Sequence, residues 1–134
     1  MKKAITLLLA LIVGLVLQAQ TFVGSMTIAS FGQKNVKCTL TVDSHGHATL
    51  VMQRVKFAKL MPVRVDMAVS GLTAKQDADG NLRLTGAGII PTAGGRTYPK
   101  KTITDFHGTV RGTTLSASFT MSQKTVTYTG TKQK

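Results

Sequence analysis

The chain has no glutamate, no tryptophan and a single cysteine, and its five acidic residues face seventeen lysines and arginines. Each shortage removes a class of activity. Every acid is an aspartate, and Asp43, Asp77 and Asp79 lie in turn sequences where they shape the backbone. Asp66 is placed outward between Arg64 and Ala68, and Asp105 borders a strand. A hydrolase built on paired carboxylates has little to work with. No glycine-flanked nucleophile elbow occurs, and none of His45, His47 and His107 has neighbours that mark a catalytic triad. The reading is a non-enzyme with no catalytic residues.

Metal and cofactor motifs are equally thin. His45-Gly46-His47, with His107 as a third imidazole, lacks the cysteine or carboxylate support of a closed zinc or copper site, and turn histidines are ordinarily solvated. Asp77-Ala78-Asp79-Gly80 opens like a calcium loop, but its glycine comes two positions early and the distal glutamate is missing, so it reads as a hairpin turn. Gly94-Gly95-Arg96-Thr97 lacks the lysine and spacing of a phosphate-binding loop. No metal and no cofactor is expected. Cys38 has no second cysteine to pair with, and between Val36 and Leu40 it is placed as a small buried hydrophobe.

What is present begins with an address. Met1-Lys2-Lys3, an apolar run from Ala4 to Leu17 and then Gln18-Ala19-Gln20 have the three parts of a secretory signal peptide, with cleavage placed after Ala19. The run is shorter than the roughly twenty apolar residues of a membrane-spanning helix, and no cysteine follows it to carry a lipid. Residues 1–19 are therefore expected to be a signal peptide and 20–134 one exported domain, periplasmic or secreted, with no transmembrane span in the mature chain. The net charge of +12 falls to +10 once Lys2 and Lys3 leave. Such a surface favours anionic partners.

Along residues 20–134 the dominant period is two. Val36, Cys38, Leu40 and Val42 alternate with polar residues, as do Val63, Val65, Met67 and Val69, and Leu115, Ala117, Phe119 and Met121. This is the pattern of antiparallel strands with one dry face. Turn sequences at Phe31–Lys34, Asp43–Gly46, Asp77–Gly80 and Arg111–Thr114 separate the runs. Strands are predicted at 22–31, 35–43, 47–57, 62–71, 81–90, 103–111, 114–122 and 124–131. Eight strands with one apolar face predict an all-β, eight-stranded antiparallel up-and-down barrel, which leaves no exposed edge. In the third strand the apolar phase runs Ala48, Leu50, Met52 and then slips to Val55 and Phe57, which predicts a β-bulge near Gln53-Arg54. Residues 91–102 form the longest connection and concentrate positive charge in Arg96, Lys100 and Lys101 beside Tyr98. The inward set includes Gly24, Ala48, Gly86, Gly88, Gly108 and Ala117, which either leave a cavity or ease strand curvature.

Several segments together resemble the bacterial calycin-like domain family, secreted barrels grouped by likeness to lipocalins and avidins. They are Gly24-Ser25-Met26-Thr27-Ile28, Leu60-Met61-Pro62-Val63, Gly108-Thr109-Val110 with Leu115, and Val126-Thr127-Tyr128-Thr129-Gly130. The resemblance implies an eight-stranded barrel whose interior holds an apolar ligand, and it implies no catalytic residues. The long basic loop and the strong positive charge are not part of it.

Two functions follow as expectations. In the first, a non-catalytic binding protein holds a small apolar or amphipathic ligand against Met26, Leu40, Met52, Met67, Phe106, Phe119 and Tyr128, while Arg96, Tyr98, Lys100 and Lys101 steer an anionic head group. In the alternative, the barrel is packed and its charged loops bind an anionic envelope component, a glycan or a protein. The outward residues Lys37, Arg64, Arg83 and Arg111, with Lys100 and Lys101, sketch a basic stripe. Single-strand binders interleave such charge with exposed aromatics, and here most of the seven aromatics are predicted inward, so nucleic acid is not the expected partner.

Overall fold

A computed structural model describes residues 19–29, 31–56 and 64–133. Residues 1–18 of the expected signal peptide and the Leu60–Val63 segment lie outside the described residues. Eight long strands form the wall: β1 (Gln20–Ile28), β2 (Phe31–Val42), β3 (His47–Val55), β4 (Val65–Gln76), β5 (Leu82–Gly86), β8 (Ile103–Arg111), β9 (Thr114–Met121) and β10 (Lys124–Lys132). Each pairs antiparallel with the next, and β10 returns to β1 through Phe22↔Lys132 to Ile28↔Val126, closing the barrel. The two remaining strands, β6 (Thr92–Ala93) and β7 (Arg96–Thr97), form a small hairpin around Gly94-Gly95. A 3-10 turn, Pro99–Lys101, follows it.

Alternation explains the wall. In β9 and β10 the inward residues Leu115, Ala117, Phe119, Met121, Val126 and Tyr128 are buried, and the outward positions between them are serine or threonine. The exterior is polar and the interior apolar, the reverse of a barrel that faces lipid. Ile90 is the one large exposed hydrophobe among the described residues. No helix among them is long and apolar enough to cross a membrane.

The predicted strands 22–31 and 81–90 run instead over Gln20–Ile28 and Leu82–Gly86, and three further differences shape the wall. Phe31-Gly32-Gln33-Lys34 is not a turn but the start of β2, because Phe31 already pairs with Ile28. β4 runs on to Gln76, so the connection to β5 is only the Asp77–Asn81 turn. The region 91–102 is not an open loop, since β6 pairs with the first half of β4 through Met67↔Ala93 and Ala68↔Thr92. β5 pairs only with the second half, Thr73–Gln76. The hairpin fills the wall where β5 is too short.

Turn chemistry is regular. Asp43 and Asp77 each open a five-residue turn in which Oδ1 accepts two backbone N–H groups, from His45 and His47 at 2.8 and 2.9 Å, and from Asp79 and Asn81 at 2.9 and 3.0 Å. The backbone N–H of His47 leads in holding the Asp43 carboxyl below its ordinary range. For Asp77 burial pushes upward, but the N–H groups of Asn81 and Asp79 and the Arg83 guanidinium outweigh it and the net shift is downward. The β9–β10 turn is less well provided. Met121 pairs with Lys124, so Ser122 and Gln123 form a two-residue loop, and both have positive φ, 53° and 63°. That is a type I′ geometry, which favours Asn-Gly. The double change Ser122→Asn/Gln123→Gly is expected to raise stability by about 0.5–1 kcal/mol. Urea unfolding checks it, and an unchanged midpoint contradicts the strain assigned to this turn.

Candidate functional site

The seven interior residues of the apolar-ligand expectation, Met26, Leu40, Met52, Met67, Phe106, Phe119 and Tyr128, do come together inside the barrel. They sit in one continuous buried cluster with the rest of the core. Phe106 and Phe119 stack with centroids 5.2 Å apart and planes 15° from parallel. Much of the space that the inward glycines open is taken by neighbouring side chains. A Cβ on Gly108 would meet Phe106 at 3.2 Å, one on Gly86 would meet Ile89 at 2.6 Å and Leu72 at 2.8 Å, and one on Gly130 would meet the Tyr128 ring at 2.9 Å. These glycines accommodate rings and branched side chains of their own sheet. Cys38 is fully buried among them, and burial pushes its thiol up to about 12, which keeps it protonated and unreactive at neutral pH. Tyr128 is buried too, and its hydroxyl donates to the Val36 carbonyl at 2.8 Å. Burial, with Cys38 nearby, raises its phenol.

The charged half of the expectation divides. Arg96 and Lys100 are exposed on the hairpin and the 3-10 turn, Lys101 is half-buried, and Tyr98 packs its ring against the core. The proposed stripe does not form as one surface. Arg83 and Arg111 stand at the opposite end of the barrel, where Arg83 donates to Asp77 at 3.1 Å. Lys37 and Arg64 instead meet at a cleft in the wall between β2 and β3.

Local sequence creates that cleft. The β2–β3 ladder runs from Val42↔Ala48 to Cys38↔Met52 and stops there. Beyond it both strands bulge: Asn35 in β2 has φ 58°, opposite a register shift between Gly24 and Met26, and Arg54 in β3 has φ 55°, at a shift between Met52 and Val55. The second is the bulge predicted from the slipped apolar phase. Bulges bend strands and open ladders. The strands are rejoined farther on by the side chain of Gln33, which acts as a ladder residue. Its Nε2 donates to the Lys56 carbonyl at 2.9 Å and its Oε1 accepts from the Lys56 N–H at 2.9 Å. Gln33 is only 5% exposed and is the one buried polar side chain among the described residues.

Between the last ladder pair and this amide bridge lies an open cavity of about 510 Å3, lined by Lys34, Asn35, Val36, Lys37, Gln53, Arg54 and Arg64. Val36 sits at its back, the residue whose carbonyl Tyr128 grips from inside. Arg64 is tethered across it, with Nη1 donating to Gln33 Oε1 and to the Arg54 carbonyl, both at 3.3 Å. The nearest acid, Asp66, accepts the Arg54 backbone N–H at 2.9 Å. Among the described residues no carboxylate comes within 4.0 Å of the four cationic heads, and both recorded ion pairs, His47–Asp43 and Arg83–Asp77, lie at the other end. Four uncompensated cations around one concavity focus positive potential there. The basic residues continue round the rim to Arg96 on β7, because the wall order here is β2-β3-β4-β6-β7.

Lys34 and Arg54 were not among the residues singled out from sequence, although the predicted bulge marked the right position. Gln33 carries no signal of its own. Its inward placement appears only with the β1–β2 register, where it faces Met26. The histidines gather no site: the His45 and His47 rings are 6.4 Å apart, His47 Nδ1 lies 3.6 Å from Asp43, and no three metal-ligating side chains converge among the described residues. No family model, curated protein or solved structure matches this chain.

Proposed function

We propose that the chain is an exported, non-catalytic binding module that recognises an anionic envelope component or glycan through the basic end of its barrel. The observation that carries this reading is the cleft of Lys34, Lys37, Arg54 and Arg64, a built concavity with no acidic counter-charge among its lining residues. The apolar-ligand reading needs interior room where Phe106, Tyr128, Ile89 and Leu72 already fill the spaces above the glycines. The calycin-like resemblance is retained as a proposal about ancestry and fold, with the ligand moved from the inside of the barrel to its wall.

The test is binding of a fluorescent heparin fragment by anisotropy at several chloride concentrations. Reversing Arg54, Lys100 and Lys124 to glutamate is expected to weaken binding at least about tenfold, since each exposed pairing is worth about 0.5 kcal/mol or more. Reversing Lys75, Arg111 and Lys132, at the opposite end, removes the same charge and is expected to leave affinity within about twofold. Equal losses from both sets reduce the effect to net charge and defeat the proposal.

A further inference from the structure

We propose that the cleft between β2 and β3 is a discrete site for a non-aromatic saccharide carrying two or more phosphate or sulfate esters. This rests on the reading of the basic end given above and narrows it to one cavity and one ligand class. Four features of the site point to that chemistry.

First, Arg64 is held ready. Its Nη1 is occupied by Gln33 Oε1 and the Arg54 carbonyl, and its Nη2 and Nε have no protein partner among the described residues. A guanidinium fixed by one nitrogen presents its other donors as a planar fork, the arrangement that grips tetrahedral oxyanions in pairs of hydrogen bonds. The tether itself is anchored, because Gln33 is buried and both of its amide atoms are used.

Second, Arg54 occupies a conformation that glycine would adopt more easily. Its φ of 55° lies in the left-handed region, which a residue with a side chain enters only at a cost. A long cation kept at that position, on the rim of a concavity, indicates a use for its side chain. Asn35, at φ 58°, forms the facing wall and is a residue type that tolerates this region.

Third, size and lining select the ligand. A cavity of about 510 Å3 falls in the range that holds one small ligand. Among the described residues no aromatic ring lines it, so a nucleobase finds no stacking partner there. Apart from Val36, the described lining is amide and cation, which suits hydroxyls and anionic esters.

Fourth, four cations need more than one negative charge to balance them. A monoanion would leave most of their mutual repulsion in place.

The experiment is isothermal titration of the purified protein with three probes: a trisulfated heparin disaccharide, glucose 1,6-bisphosphate and an unsulfated disaccharide. Binding of one sulfated or phosphorylated probe per chain, with no heat from the neutral one, is expected, and the stronger of the two identifies the ester. Arg64→Gln is expected to weaken that binding at least about tenfold, the loss of a charge-assisted pair of hydrogen bonds. Arg54→Gly is expected to bind several-fold more weakly while its urea midpoint stays level or rises. The pair Lys34→Gln/Lys37→Gln, whose side chains make no hydrogen bond among the described residues, separates lost affinity from lost folding and is expected to weaken binding as well. Arg96→Gln/Lys100→Gln, on the hairpin and the 3-10 turn, lies within reach of a longer heparin fragment but outside the cleft, and is expected to change affinity for the small probes less than about twofold. If the hairpin pair loses as much as Arg64→Gln, or if several probe molecules bind per chain, the attraction is diffuse; the cleft assignment falls and the basic-end reading stands. If neither anionic probe binds while the heparin fragment does, the outcome is the same. If the heparin fragment also fails to bind, both fall.

Discussion

Gly24→Ala is expected to leave little folded protein. Gly24 lies in β1 between Gly130 of β10 and Val36 of β2, at the seam where the first and last strands of the barrel close on each other. A Cβ built there lands on the Thr129 carbonyl oxygen and the Gly130 Cα, backbone atoms of the facing strand that cannot rotate aside. Gly130 cannot retreat inward, because the Tyr128 ring stands 2.9 Å from its own Cβ direction. One methyl group therefore forces β1 and β10 apart at the ladder that joins the two ends of the sheet. Overpacking against side chains costs about 1–3 kcal/mol, and against fixed backbone we expect about 4 kcal/mol, a large fraction of a small domain's stability. Urea unfolding measures it. Gly32→Ala is the control, since its nearest heavy atom is Thr27 Oγ1 at 4.0 Å and its φ is unremarkable. A Gly24→Ala midpoint equal to that control contradicts the assigned closeness of the seam.

Phe106→Ala is expected to cost about 3–5 kcal/mol and to open the barrel. Phe106 is fully buried, stacks on Phe119, and covers the space above Gly108. Its removal leaves a void next to a second glycine-lined position, which the remaining core cannot close. The lost volume should behave as a dry apolar cavity, able to take up benzene or xenon. The original protein, with the ring in place, is expected to take up neither. The comparison separates a filled barrel from a container. Equal uptake by both proteins contradicts a filled interior.

The barrel itself could be read from residues because most of its wall obeys a period of two. Val36, Cys38 and Leu40 point inward as their alternation requires, and so do Leu115, Ala117, Phe119 and Met121. The bulge at Arg54 was visible because apolar residues stand on both sides of it, Met52 before and Val55 after, and the slip shows. The bulge at Asn35 was hidden because the inward residue before it is Gln33, a polar side chain that breaks the apolar phase instead of displaying it. The β6–β7 hairpin was missed for another reason. Strands of two residues carry no periodicity, and Gly94-Gly95 alone signals a turn without saying what it joins. The cleft was further out of reach. It exists because two bulges on neighbouring strands fall at the same height and one glutamine spans the gap, a coincidence of long-range register that local pattern does not contain. Charge alone put Lys37 and Arg64 on one stripe with Arg83 and Arg111, whereas the register sends the two pairs to opposite ends.

The charge distribution also explains how the ends of the barrel differ. At the far end, Asp43, Asp77 and Asp79 serve the hairpin turns and offset Arg83 and its neighbours. At the cleft end, Asp66 is engaged with the Arg54 backbone, and Asp105 sits in a bulge of β8 with φ 51°. The carboxylates of Asp43, Asp66 and Asp77 are thus engaged with backbone N–H groups, and among the described residues none pairs with the cations of the cleft.

Chemical-shift mapping by 15N-HSQC, with the trisulfated disaccharide and then with laurate, tests most directly whether this barrel binds on its wall or in its interior. The expected result is a set of perturbations confined to residues 33–37, 53–56 and 64 with the sulfated sugar, and none with laurate. Perturbation of Met26, Met67, Phe119 and Tyr128 by laurate, with the cleft silent to the sugar, would contradict the account and return the ligand to the inside of the barrel.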